Sequence, residues 1–402
     1  MSDTNFRADA HRLRIFGGAD ALANLSAELR RLNVRRALVF CGHSVARNSG
    51  LIARLQSLAG ASIAAVFDRA GRHANVDVVQ AAARLMRETG ADGIVAVGAG
   101  SVLMAARLVA ILHAENRPIE DMVTRYDGDA AAVSPRLLAP KVPIVNVLTA
   151  ATNAQARAGS ALRQAGVAHR LEMYDPKTRP SSIFWDRDAL LTAPVSLART
   201  SGLHTFWSCF NLIGAEPPGN PLADGDARQA FRLALGALPR MSDPEDADAR
   251  VDMCAAAYLH NRYEDAGGDL LGGLWVARVC YALGAGIFTR SDQIDGSLVY
   301  VALTGPAISQ FGERELPRLQ RMVRALGVPL SASASDPLAR VRDAVQAFYA
   351  GLGFAPRLRD FGLRRDDLPA LRDVALRNFN ADRHRVLRHE VARLDATLAD
   401  AW

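Results

Sequence analysis

Cysteine, lysine and aromatic residues are scarce in this 402-residue chain, and long apolar runs are missing. Each gap closes off a class of protein. The four cysteines, Cys41, Cys209, Cys254 and Cys280, stand far apart with no C-x-x-C pair. That excludes a disulfide framework and a cysteine-based zinc site, and predicts buried free thiols. No apolar stretch is long enough to span a membrane, so no membrane partner is expected. The first residues, MSDTNFRADAHRLRIFGG, hold no apolar signal core, which predicts a cytoplasmic protein. The net charge of +6 is carried almost wholly by arginine. Those arginines are interleaved with acids along helical stretches such as ARLMRE, and only 6% of residues are aromatic. A nucleic-acid surface needs clustered cations with stacking aromatics between them, and the chain offers none.

What the chain does have is a strong centre, GIVAVGAGSVLMAARLVAIL, from Gly93 to Leu112. A β-branched apolar run, Ile94 to Val97, reads as a buried strand. Gly98 and Gly100 follow, with Ser101 directly behind, and then an apolar segment too long for a strand. Strand, glycine turn and helix together present free backbone N–H groups to an anion such as a phosphate. Ser101 is expected to cap the helix. The same pattern also serves as a plain structural turn.

Around this centre strands and helices alternate. Strands are predicted at 35–41, 62–67 and 142–148, and helices at 45–58 and 76–89. Such alternation argues a parallel sheet with helices on both faces. Ligands of such sheets bind at the carboxyl ends of the strands. That rim holds Gly42, His43 and Ser44, then Gly98 to Ser101, then the segment from Thr149 to Arg157. A hairpin with its turn at Gly166 follows, and after Asp186 the periodicity is helical. The expected domains are therefore 1–186, an α/β dinucleotide-binding domain, and 187–402, an all-helical domain closing a cleft. Two polar breaks, 216–226 and 289–296, read as loops.

At this point several motifs resemble the iron-containing alcohol dehydrogenase superfamily, which includes the maleylacetate reductases. The family's Gly-Gly-Gly-Ser-x-x-Asp-x-x-Lys turn is similar to Gly98-Ala99-Gly100-Ser101 continuing to Arg107. Its Pro-Thr-Thr-Ala-Gly-Thr-Gly-Ser-Glu motif is matched loosely by Val147 to Gln155. Tyr174-Asp175-Pro176, Leu191-Thr192-Ala193-Pro194, Thr200-Ser201-Gly202-Leu203 and the C-terminal FGLRRDDLPAL and Leu-Ala-Asp-Ala-Trp follow in family order. The resemblance implies an α/β N-terminal Rossmann-like nucleotide-binding domain plus an all-α C-terminal domain, the dehydroquinate synthase-like or iron-containing alcohol dehydrogenase fold. It also implies NADP or NAD as cofactor and a homodimer.

The departures from the family bear on chemistry. Family members hold a metal with one aspartate and three histidines. Here those positions fall on His204, Ser208, Ala277 and either Asp295 or Ser291. Serine and alanine cannot replace imidazoles at a transition metal, so no catalytic metal is expected. A rearranged site from His204, His260 and Asp295 is the competing reading. Without a metal, hydrogen-bonding or charged groups must polarise a substrate carbonyl. His204, Tyr281, Arg157 and Arg278 are the candidates: arginine for a substrate carboxylate, His204 or Tyr281 as proton donor. Against this, His204 also suits a core role, Tyr281 and Arg278 suit packing or a surface ion pair, and Asp292 and Asp295 suit helix caps.

For the cofactor, the expected contacts are Gly42, His43, Ser44, Gly98, Gly100, Ser101, Thr149 and Thr152. The strand ending at Cys41 is followed by no acid for a ribose hydroxyl, which inclines the reading to NADP, with His43 or Arg47 on the phosphate. The function that emerges is a metal-independent NAD(P)H-dependent oxidoreductase acting on a small carbonyl or enone acid. The alternative is a repurposed non-redox enzyme (lyase, isomerase or condensation) or a non-catalytic homologue.

Overall fold

The computed structural model describes residues 6–126, 130–167, 169–215, 219–288, 290–291, 293–328 and 336–402. Asp292, expected as a cap, and residues 216–218 of the first polar break lie outside the described residues.

Six strands form one parallel sheet: β1 (Arg14–Gly18), β2 (Ala37–Cys41), β3 (Ile63–Phe67), β4 (Gly93–Gly98), β5 (Ile144–Leu148) and, after a hairpin of β6 (Ser160–Leu162) and β7 (Leu171–Met173), β8 (Ser182–Asp186). Their order is β1-β8-β5-β4-β2-β3. The strands β2, β4, β5 and β8 are buried along their whole length, as expected where helices cover both faces of a parallel sheet. The first five helices are α1 (Leu25–Arg31), α2 (His43–Asn48), α3 (Leu51–Ala59), α4 (Val76–Thr89) and α5 (Gly100–Glu115). Alternation along β2 divides the core in two. Val39 and Cys41 pack with Leu25, Leu29, Leu51 and Leu55 of α1 and α3. Leu38 and Phe40 pack with Val79, Met86, Leu103 and Ile111 of α4 and α5.

This arrangement fixes where a ligand can bind. The chain leaves β2 over one face through α3 and leaves β4 over the other through α5. Strand order therefore reverses between β2 and β4, and a crevice opens outside their carboxyl ends. The glycine turn at 98–100 stands on that crevice.

After Asp186 every described element is helical: α6 (Arg187–Leu191), α7 (Val195–Gly214), α8 (Pro221–Ala237), α9 (Ala247–Asp265), α10 (Leu270–Gly273), α11 (Trp275–Phe288), α12 (Gly296–Phe311) and five more α-helices between Leu316 and Ala401. No described helix is long and apolar enough to cross a membrane. All four cysteines are free and buried.

Four local expectations are corrected. The helix predicted over 45–58 is two helices, because Gly50 at φ 64° breaks it. The second half of the 216–226 break is the first turn and a half of α8, started by the Asn220 side chain accepting from Leu222 N and by Pro221 at the first helical position. Ser101 does not cap α5: the helix already begins at Gly100, and its cap position, Ala99, has no side-chain acceptor. An edge strand, β1, paired in register with β8 from Arg14↔Ser182 onward, joins the sheet from a segment not read as a strand.

Candidate functional site

The nucleotide end is built by three strand ends. Without a side-chain cap, the first-turn N–H groups of α5 face the crevice from half-buried Gly100 and Ser101, the arrangement that receives a phosphate. The close turn needs its glycines. A Cβ on Gly98 would lie 2.7 Å from Val102 Cγ2, and one on Gly100 would lie 2.7 Å from Thr152 Oγ1. Thr152 Oγ1 accepts from Ala154 N at 3.0 Å, and Thr149 N donates to Gly98 O at 3.2 Å. Thr149 is buried and Thr152 half-buried, so both shape the turn from behind. At the end of β2, Gly42 precedes α2, while His43 and Ser44 are exposed. No acid follows β2, and Asp68, just after β3, lies 3.3 Å from His43 Nδ1. Burial first, and the charge of Asp68 second, push the Cys41 thiol up to about 12, which leaves it unreactive.

The segment 149–157 is fastened to the helices that follow Asp186. Asn153 Nδ2 donates to Ser208 Oγ at 2.7 Å, Asn261 Nδ2 to Asn153 O at 2.9 Å, and Gln155 Nε2 to Cys254 O at 2.8 Å. From below, the buried Arg107 donates to Ala154 O at 3.3 Å. Burial, with repulsion from Arg157 and Arg179, pulls the Arg107 pKa down to about 9. Sequence reasoning passed over Arg107, because an arginine in an apolar helix at a family lysine position signals nothing by itself.

Arg157 ends this segment beside α9. Its side chain keeps 36% of its surface accessible and pairs with Glu264. Its other terminal nitrogen lies 3.4 Å from His260 Nδ1. His260 is buried, its Nε2 has no hydrogen-bond partner, and burial holds it well below the usual imidazole range. On α7, His204 is half-buried, and burial lowers its pKa despite the opposing charge of Asp295. Tyr300 of α12 joins the group: its ring centroid lies 5.3 Å from His204, 6.2 Å from Tyr281 and 4.6 Å from Trp207. Tyr281 Oη accepts from Asn380 at 3.3 Å, and its electrostatic influence reaches Arg157.

His204, Tyr281 and Arg157 are thus brought together, with His260 and Tyr300 added. Arg278 is not. It donates to Leu271 O at 2.7 Å and Gly272 O at 2.9 Å, and lies over the Trp275 ring at 4.6 Å. Its guanidinium satisfies the last carbonyls of α10, which removes it from the catalytic set.

The positions expected to correspond to the family's metal ligands carry other chemistry. Ser208 accepts from Asn153 and donates to His204 O at 3.1 Å. Ala277 is buried and has no donor atom. Asp295 caps α12 through Ser297 N at 2.9 Å and pairs with Arg72 at 3.5 Å. Among the described residues no three His, Cys, Asp or Glu side chains are grouped to hold a metal ion. The residues present do not fit the family metal.

Comparison with known proteins agrees with this architecture. The family model for iron-containing alcohol dehydrogenases matches residues 13–187. Over those residues, its sheet and glycine turn, the chain is similar to the iron-containing alcohol dehydrogenases. It is 26% identical to a maleylacetate reductase of Pseudomonas knackmussii over 93% of this chain and 92% of the relative. To a 4-hydroxybutyrate dehydrogenase of Cupriavidus necator it is 28% identical over 59% of this chain and 60% of the relative. Among solved structures, an archaeal halo-thermophilic alcohol dehydrogenase from a Red Sea brine pool superposes with a TM-score of 0.82 at 18% identity, covering 99% of both chains. The expected α/β-plus-helical fold is the fold of this solved alcohol dehydrogenase. A dinucleotide fits the crevice, because uncapped helix N–H groups stand at the strand-order switch beside a glycine turn where a Cβ would press on Val102 or on the Thr152 hydroxyl.

Proposed function

We propose that this chain is a metal-independent, NAD(P)H-dependent oxidoreductase that reduces a small carbonyl or enone acid. The observation that carries the reading is Arg157 at the end of the segment that follows β5, within the electrostatic reach of Tyr281, whose ring and that of His204 both neighbour Tyr300. The bound nucleotide supplies the hydride. Arg157 takes the substrate carboxylate; the carboxylate of Glu264 already on it is the stand-in for that group. His204, kept neutral at physiological pH by its lowered pKa, offers an N–H to the developing oxyanion in place of a Lewis acid. Tyr281 accepts from Asn380, which leaves its own O–H to donate the proton.

The test is a screen of small oxo-acids with NADH and NADPH, followed by His204→Ala. Turnover should fall by about 10²-fold or more; a fall below about threefold returns His204 to a packing role. The non-redox reading draws support from the ties of Asn153, Gln155 and Arg157 to the helices after Asp186, which fix the segment expected at the nicotinamide end. That reading predicts no nicotinamide nucleotide binding.

A further inference from the structure

Deepening the nucleotide reading above, and resting on it, we propose that Asp68 sets the cofactor preference, favouring the free ribose 2′-hydroxyl of NADH over the 2′-phosphate of NADPH. The adenine-side ribose of a dinucleotide whose phosphates sit on α5 falls at the end of the strand next to β4 across the switch point, which is β2. An acid there accepts from the ribose hydroxyls and repels a 2′-phosphate. The residues after β2 contain no such acid, and the fold brings one from the neighbouring strand.

Three contacts place it. β3 runs parallel to β2 with Phe67 paired to Phe40, so Asp68 leaves the sheet at the level of Cys41. Ala70 N donates to Cys41 O at 3.1 Å, folding the 68–70 turn over the end of β2. Gly42 keeps that approach close: a Cβ there would meet Ala70 O at 3.1 Å. His43 Nδ1, 3.3 Å from Asp68 Oδ2, then holds the carboxylate beside the start of α2, where its side chain keeps 38% of its surface accessible to a ligand. The nearby cations are His43, committed to Asp68; Arg69, drawn over the Phe67 ring at 4.9 Å; and the exposed Arg47. A 2′-phosphate would have to displace Asp68 from His43 before it could use that imidazole.

The experiment is calorimetric titration of the full-length protein with ADP-ribose and with 2′-phospho-ADP-ribose. Both probes carry the adenine half alone, so the nicotinamide end does not enter. Wild type should bind ADP-ribose at least about tenfold tighter, a difference of roughly 1.4 kcal/mol. Asp68→Asn keeps the side chain's size, removes its charge and should bring the two ligands to within about threefold. Thermal unfolding of the variant should match wild type, because the group is partly exposed. If wild type prefers the phosphorylated ligand, or if both bind and Asp68→Asn leaves their ratio unmoved, the assignment of Asp68 is overturned. If neither ligand binds wild type, the nucleotide reading falls and takes the assignment with it.

Discussion

Replacing Gly100 with alanine probes the turn on which the nucleotide crevice depends. The new Cβ would sit 2.7 Å from Thr152 Oγ1, but at an ordinary 3.5 Å from Thr152 Cβ and 3.8 Å from Ala154 Cβ. The conflict is therefore with one hydroxyl. Relief requires Thr152 to turn away, which releases Ala154 N from its 3.0 Å bond and loosens the segment that carries Arg157. Overpacking of this kind costs about 1–3 kcal/mol, and a lost hydrogen bond about 1 kcal/mol more. Against this stands a gain of about 0.5 kcal/mol from alanine at a position where glycine does not use a positive φ. The net expectation is a loss of about 1.5–3.5 kcal/mol in urea unfolding, with weaker nucleotide binding. In a Thr152→Ala background the hydroxyl is gone, and Gly100→Ala should be neutral or slightly stabilising. A double-mutant cycle measures the difference. An equal cost of Gly100→Ala in both backgrounds would refute the contact as the reason for glycine.

Other expectations follow from the same geometry. Arg278→Ala should cost about 1 kcal/mol of stability through the lost carbonyl bonds and ring contact, and leave nucleotide binding unchanged by titration. Arg157→Lys should raise KM for oxo-acids about tenfold while sparing uncharged aldehydes, because an ammonium lacks the planar fork; equal effects on both substrate types would remove Arg157 from carboxylate recognition. His260 is held below the imidazole value of 6.5 by burial. Between its folded value and 6.5 the unfolded chain binds the extra proton, so stability is full above about pH 6.5 and declines as pH falls below it. His260→Gln should flatten that decline by up to ~1.4 kcal/mol per pH unit, read from urea midpoints across the acid range.

Much of the sheet was legible because its strands are β-branched runs punctuated by glycine. α4 and β4 carry the clearest periodicities, and their limits at Gly90 and Gly98 are written in glycine. β1 was not legible: RIFGG has two apolar residues and two glycines, and it becomes a strand only by pairing with β8. α8 was hidden by a polar first turn, although Asn220-Pro221 is a start signal that could have been read. In the site, rim positions followed from strand ends, so the glycine turn and Arg157 were within reach. Arg278 was not separable from Tyr281 by sequence, since three residues along a helix decide whether a side chain faces Tyr300 or the end of α10. Asp68 was missed because the acid was sought after β2, whereas the turn of the neighbouring strand, bonded to Cys41 O, supplies it.

The most direct test of a metal-free nicotinamide enzyme is calorimetric titration of chelator-treated protein with NADH. Saturable binding at about one nucleotide per chain, unchanged from untreated protein, is the expected result. No binding, or binding that returns only when iron or zinc is restored, would contradict it.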